Sequence, residues 1–522
     1  MKLLRALLLL FVIVPLAARA QDDPFAGLAG NYEAIRHAVD ALAVSGTPQA
    51  EPTVAALQAG TLYVAPDRSL WIKQGDVLLE ARSGKPGTPE GELRRVRVNN
   101  AVRRAIEAAM GALTLFSDNP AKRMKAAADL FAQHDAAALP VLDRALAKEP
   151  DLAVRRLMQQ AHAAALLAAG GAPVADRLAA IAVLRERGDL DASNLLSSLT
   201  GQPPPVSVAA AQAVAAIARV QRIWALAQGA FYGISLGSVL LLAASGLAIT
   251  FGVMGVINMA HGEMVMLGAY TTFLVQQAIG AWLPALSGLG VVLAVPMAFL
   301  VAGTVGIAIE RLLIRFLYGR PLETLLATWG LSLALQQAVR SLFGASNRDV
   351  TTPGWMSGAA QWGGLTITFN RLYIIVFAGI VLAALMAVLR FTPLGLRMRA
   401  VTQNRRMAAA MGIRTPWIDA LTFGLGSGVA GMAGVALSQI DNVSPNLGQG
   451  YIIDSFMVVV FGGVGNLWGT IVSALTLGII NKFLEPVAGA VLAKIFVLVL
   501  LILFIQRKPR GLFPLKGRAV EA

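Results

Sequence analysis

The stretch from Phe251 to Tyr270, FGVMGVINMAHGEMVMLGAY, sets Asn258, His261 and Glu263 inside an otherwise apolar, glycine-punctuated run. Hydrocarbon offers no water to an ionisable side chain, so such a residue costs about 3 kcal/mol to insert and faces either a partner or a wet pathway. The three residues together supply hydrogen-bond donors and acceptors, which is what a route for a polar solute needs. A three-residue spacing puts Asn258 and His261 on one helix face, whereas Glu263 points elsewhere unless the helix is broken near Gly262. The competing reading is that His261 and Glu263 hold a helix interruption together through backbone contacts. Acid–base chemistry by the pair would need a nucleophile or a further metal ligand at sensible spacing, and none is evident, so no catalytic or metal set is assigned.

The elements around these residues follow from composition, which changes near residue 222. Asp22 to Gln221 mixes charges freely, while the rest is Leu, Val, Ile, Ala, Gly and Met with sparse charge. From Arg222 onward 20 Lys and Arg stand against 9 Asp and Glu, so the basic excess belongs to the apolar part and nucleic acid is excluded as its explanation. The basic residues gather at Arg311 to Arg320, Arg390 to Arg414 and Arg507 to Arg518, each beside a hydrophobic run, and the positive-inside bias makes those regions cytoplasmic. There is no Cys, which excludes disulfides, thiol enzymes and Cys-ligated zinc. At the N-terminus, Lys2, Arg5, an apolar run from Ala6 to Ala17 and Ala18-Arg19-Ala20 predict a cleaved signal segment over 1–20, with a retained first membrane helix as the alternative. Either places the next domain outside the cytoplasm.

That domain, 22–205, shows apolar residues at helical intervals over Asn100–Phe116, Pro120–Gln133, Ala136–Lys148 and Asp151–Ala169, a spacing like that of stacked helical repeats. Thr61 to Leu79 alternates like a β-hairpin, with Pro66-Asp67-Arg68-Ser69 as its turn. His37, His134 and His162 fall at unrelated spacings and are assigned to surface or packing. Gln202 to Pro205 breaks the pattern, and 206–228 is a linker with a helix leading to the membrane.

A transmembrane domain spans 229–506, with hydrophobic segments near 229–251, 253–276, 288–310, 322–343, 371–391, 417–440, 451–464, 466–485 and 489–506. The fold class is mainly α: a polytopic bundle of about eight or nine spans, some broken, since 451–464 is short for an ordinary crossing. An odd count carries an external N-terminal domain to a cytoplasmic tail over 507–522. Glycine and alanine in the spans permit close helix approach. Asp441, Asn442, Asp454, Asn481 and Glu485 sit near external span ends, where interfacial solvation accounts for them. Local ion pairing accounts for Glu310 and Glu323, and an aromatic belt for Trp282, Trp355, Trp362, Trp417 and Trp468. Between two spans, Leu396 to Gly412 offers a short amphipathic helix with Arg399, Arg405 and Arg406 alongside Ala408, Ala409, Ala410 and Gly412. It either docks in a partner's groove or lies on anionic lipid.

This loop resembles the coupling-helix region of ABC importer permeases. GLAITFGVMGVINMAHGE from Gly246 to Glu263, together with FGGVG from Phe461 to Gly465, resembles permeases of the branched-chain amino-acid type. The signal segment and long external domain ahead of Ser235 to Leu240 look like the urea-transport branch of that family. The resemblance implies one membrane subunit of an importer in the bacterial inner membrane. Its partners would be a second homologous permease subunit, cytoplasmic ATP-binding subunits and a periplasmic solute-binding protein, and it would be surrounded by lipid. No GxxxxGK[ST] phosphate loop is present, so this chain binds no cofactor itself and ATP is used by a partner. Urea is the expected solute, with branched-chain amino acids or short amides as alternatives. Asn258, His261 and Glu263 are the expected path residues, and Arg399 to Gly412 the ATPase-coupling loop. A passive urea channel would share the polar path but have no use for such a loop.

Overall fold

The computed structural model describes residues 23–513 except 46, 76 and 200, so the expected signal segment and the end of the tail lie outside the described residues. The chain divides into two compact units at Gln221 and Arg222, where the composition changes.

Among the described residues, the first unit contains the α-helices α1 (Tyr32–Ser45), α2 (Ala50–Ala59), α3 (Asn100–Thr114), α4 (Pro120–Gln133), α5 (Leu139–Lys148), α6 (Leu152–Ala169), α7 (Val174–Arg187) and α8 (Leu190–Ser197). Side chains fix several starts: Asn119 Oδ1 accepts from Ala121 N at 2.9 Å, Asp151 Oδ1 from Ala153 N at 2.8 Å, and Asp189 Oδ1 from Ala192 N at 2.9 Å. Gly188 ends α7 in the left-handed region with φ 70°. The expected hairpin is present as β1 (Leu62–Val64) and β2 (Leu70–Gln74), antiparallel with Leu62 opposite Ile72. Two further strands, β3 (Val77–Glu80) and β4 (Arg94–Arg95), enlarge it to a sheet of order β3-β2-β1-β4. An Arg-Arg edge strand has no alternation by which it could be foreseen.

One core gathers Leu28, Leu42, Val54, Leu62 and Ile106 around that sheet; the other joins Phe131, Leu142, Met158 and Leu184 to Val206, Ala210, Ala213 and Ile217. Those last four lie on α9 (Pro204–Met254), so the segment expected as a linker contributes a helical face to the first unit's core. The Pro-rich break falls just ahead of it.

The second unit continues with α10 (His261–Trp282), α11 (Gly290–Leu312), α12 (Pro321–Phe343), α13 (Phe369–Phe391), α14 (Pro393–Gln403), α15 (Arg405–Ala410), α16 (Thr415–Leu437), α17 (Leu447–Gly462) and α18 (Leu467–Arg507). A two-stranded ribbon, β5 (Ala359–Trp362) with β6 (Leu365–Thr368), interrupts the connection from α12 to α13. All nine hydrophobic segments fall on helices, and among the described residues six helical stretches are long and apolar enough to cross a membrane. The difference has three causes. The segment 451–464 lies on α17, a shorter apolar helix. The segments 466–485 and 489–506 lie on one element, α18, broken at Gly489 with φ 77° just after Pro486. α12, which covers 322–343, carries Glu323, Arg340 and a row of polar residues. The segment expected from 253 begins instead at His261, because Gly255, φ 68°, terminates α9.

α16 is the central helix; besides burying Phe423 and Leu437, it packs along its glycines by close backbone approach. A β-carbon on Gly268 would strike the Gly431 carbonyl, one on Gly434 the Val265 carbonyl, and one on Gly246 the Gly426 carbonyl. Only glycine lets α9, α10 and α16 come this close.

Candidate functional site

α12 has the reverse of the usual amphipathic pattern. Thr324, Thr328, Ser332 and Gln336, spaced four apart on one face, are all buried, while Leu322, Leu326, Trp329, Leu333 and Leu342 are exposed. A helix that shows its apolar face outward and its polar face inward suits a lipid exterior and a polar interior. This row was overlooked in the sequence, although polar residues at four-residue intervals within an apolar segment are the signal that finds it.

Glu263, 1% exposed on the first turn of α10, points at that row. Its Oε1 accepts from Ser332 Oγ at 2.8 Å and from Gln336 Nε2 at 2.7 Å, and Gln336 Nε2 also reaches Ser332 Oγ at 3.1 Å. Gln336 Oε1 in turn accepts from Gln449 Nε2 of α17 at 3.2 Å, and Gln449 is exposed. A file of hydrogen-bonding groups therefore runs from a buried carboxyl to the surface. Glu263 Oε2 and, two turns further along α10, the Tyr270 hydroxyl are buried without a protein partner.

Asn258 and His261 do not join this cluster. The chain between Gly255 and His261 is not helical, so the shared face expected for 258 and 261 does not form, and the break lies ahead of Gly262 rather than at it. Gly262 sits within α10, where the Gly448 carbonyl approaches too closely for any side chain. Asn258 Oδ1 accepts from Ala260 N at 3.0 Å, a local turn contact that leaves Nδ2 buried and unpaired. His261 Nε2 donates to the Ala243 carbonyl on α9 at 2.9 Å, which fixes the proton on that nitrogen and leaves Nδ1 as a bare acceptor. The interruption is also held from α12, since Met259 N donates to Thr328 Oγ1 at 3.1 Å. The same polar row thus secures the break with Thr328 and contacts Glu263 with Ser332 and Gln336.

At the other end of α16 lies the arginine-bearing loop, which forms two helices rather than one. Asn404, extended at φ −153°, separates α14 from α15 and caps the latter by accepting from Met407 N at 3.0 Å. Arg399 Nη1 donates to the Leu389 carbonyl at 2.5 Å. Arg405, its side chain still 44% exposed, forks onto the Asp419 carboxylate, which is 1% exposed. Arg406, Met407, Ala409, Ala410, Met411 and Gly412 are exposed, and Ala408 is buried. Beside this pair Tyr318 donates to Glu310 Oε1 at 2.9 Å, so buried Glu310 has a hydroxyl partner as well as Arg311 at 3.7 Å. Glu323 pairs on the surface with Arg320 at 3.1 Å. Of the polar residues assigned to span ends, Asp454 is an interior group paired with Lys494 at 2.9 Å, and Glu485 pairs with Lys482 at 2.5 Å. All five boundary tryptophans are exposed.

Comparison with known proteins agrees with this architecture. Residues 229–505 match the family described as branched-chain amino acid transport system / permease component. The chain is 30% identical over 299 residues to the high-affinity branched-chain amino acid transport system permease protein LivH of Salmonella typhimurium, covering 55% of this chain and 94% of that one. It is 31% identical over 290 residues to the corresponding BraD of Pseudomonas aeruginosa, covering 54% and 93%. A shorter likeness, 29% over 133 residues, is to the ribose import permease protein RbsC of Bacillus subtilis, covering 22% and 40%. No solved structure matches. A multi-pass helical bundle with a buried polar row, matched from 229 to 505, means that this chain belongs to the family of branched-chain amino acid transport system permease components.

Proposed function

We propose that this chain is one membrane subunit of an ATP-driven importer and lines part of the path for urea. The observation that carries the reading is the inward polar row of α12 facing Glu263, with its exit at exposed Gln449. Urea has two amide donors and a carbonyl acceptor, and hydroxyl, amide and carboxyl groups replace its water contacts without requiring charge on the solute. In this reading Glu263, Ser332 and Gln336 meet the solute, while Asn258 and His261 shape the interruption beside it. The exposed surface of α15, with Arg406, Ala409, Ala410 and Gly412, meets a cytoplasmic ATP-binding subunit. A second permease subunit completes the path, and a periplasmic binding protein delivers the solute to the side that carries the first unit.

The test is reconstitution with co-purified subunits and labelled urea, with leucine and short amides as competitors. ATP-dependent urea uptake that leucine does not suppress is expected. Uptake that leucine abolishes would replace urea with branched-chain amino acids, the reading favoured by the relatives' names. Urea flux through the isolated chain without ATP would replace the importer with a channel. Orientation is tested separately: with no native Cys, single cysteines at Ala409 and in the first unit should label from opposite sides.

A further inference from the structure

We propose that Arg405 is a positioning residue whose ion pair with Asp419 ties α15 to α16, so that displacement of α15 is delivered along α16 to the interior interruption. This rests on the reading of the chain as a permease driven by a separate ATPase. α15 is only six residues long, and its inward contacts are Arg405 and Ala408. α14 is anchored independently through Met398, Val401 and the Arg399 contact to Leu389, and extended Asn404 lies between the two helices as a hinge. Movement of α15 therefore reaches the bundle through Arg405 together with Ala408 and the short turn to Thr415, whose Ile413 N donates to the Ala408 carbonyl at 3.1 Å, and Arg405 is the polar link of the three.

The far side of that contact is rigid. Asp419 is enclosed, so separating it from the guanidinium would leave a bare carboxylate in the interior, and the pair moves as one. The Arg405 guanidinium also lies 4.8 Å from the Tyr318 ring centre, and Tyr318 holds Glu310 of α11. Neighbouring Arg311 stacks on Trp417 of α16 at 4.3 Å, which closes a ring between α11, α15 and α16. Seven residues, or two turns, beyond Asp419 on α16 is Gly426, set against Gly246, and a β-carbon on Gly246 would also touch the His261 imidazole. Helices in backbone contact cannot be dented, so a shift at Asp419 is passed on as a shift of Gly426 against the α9–α10 break.

The test has two readouts on the full chain. First, a spin label on A409C in lipid discs reports α15 directly: Arg405→Ala and Asp419→Asn should mobilise it, Arg405→Lys should do so partially, and the exchange Arg405→Asp with Asp419→Arg should restore it. Second, in vesicles with the co-purified ATPase subunits, Arg405→Ala should retain ATPase co-purification and hydrolysis while solute uptake falls at least about tenfold, and the exchange should recover uptake. Unchanged mobility, or full uptake in Arg405→Ala, overturns the proposal. Loss of co-purification with an unmoved label also overturns it, by placing Arg405 at the partner interface. If the wild-type chain co-purifies with no ATPase, the importer reading fails, and the label still decides whether Arg405 holds α15.

Discussion

One buried acidic side chain in each unit, Glu149 in the first and Glu263 in the membrane unit, is completed differently, although Asp419 and Asp454 of the membrane unit have cations of their own. Glu149, 5% exposed, receives Arg123 Nε at 2.7 Å and Nη2 at 2.9 Å, one on each oxygen, and Asp151 N at 3.0 Å. Glu263, 1% exposed, has two neutral donors on one oxygen and no protein partner on the other. A forked guanidinium supplies both charge and directed donors, so the Glu149 site is closed to further ligands. The Glu263 site retains bonding capacity beside a polar row, which the proposed solute path would use. Packing differs in parallel: leucine, phenylalanine and methionine side chains fill the first unit's cores, whereas glycine brings helix backbones together in the second.

The largest expected effect tests the packing half of this contrast. Gly268→Leu would drive a side chain into the Gly431 backbone and should destabilise the membrane unit by about 3 kcal/mol or more, whereas Gly280→Leu, with open space around it, should do nothing measurable. Hydrogen exchange on the full chain separates the regions: protection over α10 and α16 should collapse while that over α4 to α7 persists. Intact protection in α16 would mean that backbone approach is not what holds this unit.

Next comes the closed pair. Arg123→Ala leaves Glu149 buried without its cation and should destabilise the first unit by about 3 kcal/mol. Adding Glu149→Leu should recover most of that loss, because two apolar groups need no partners. A single-variant effect below about 1 kcal/mol in denaturant unfolding would make the pair a screened surface contact instead.

For the open site the readout is transport rather than folding. Glu263→Gln keeps the shape and can still accept from Ser332, so exchange protection should remain, while uptake by the reconstituted complex should fall roughly tenfold, the equivalent of one lost hydrogen bond to the solute. Normal uptake would remove Glu263 from the path.

How much of this was legible depended on whether a local pattern carried it. Helices α4 and α6 were expected within a residue of where they lie, because apolar residues recur along them at helical intervals. The membrane segments were legible as runs of hydrophobicity, but not the internal break of α18, since one left-handed glycine decides it. Glu263 was found as an isolated charge. Its partners Ser332 and Gln336 lie about seventy residues away, on a row whose four-residue spacing is visible in the sequence but whose pairing with Glu263 is not. Arg405 and Arg406 are chemically identical neighbours, and only the position of Asp419, fourteen residues after Arg405, decides which of them is tied to the bundle. Tertiary pairing of this kind leaves no periodic trace.

The smallest effect is acid sensitivity, and it sharpens the contrast from the first unit's side. Burial alone would raise the Glu149 carboxyl above its usual value of 4.5, but the Arg123 hydrogen bond, the Asp151 backbone N–H and the Arg123 charge outweigh it and hold the folded group lower. A carboxyl lowered on folding contributes stability that is fully present above the unfolded value and disappears as the pH falls through the folded one. The first unit should therefore lose stability below about pH 4.5 as protonation releases Arg123. Glu149→Gln should start less stable and lose less, so that denaturant midpoints for the two proteins, followed from about pH 6 to about pH 3, converge in acid. Parallel curves would mean that the pair's charge contributes nothing beyond its hydrogen bonds, and the first unit's closed carboxylate would then differ from Glu263 in geometry alone.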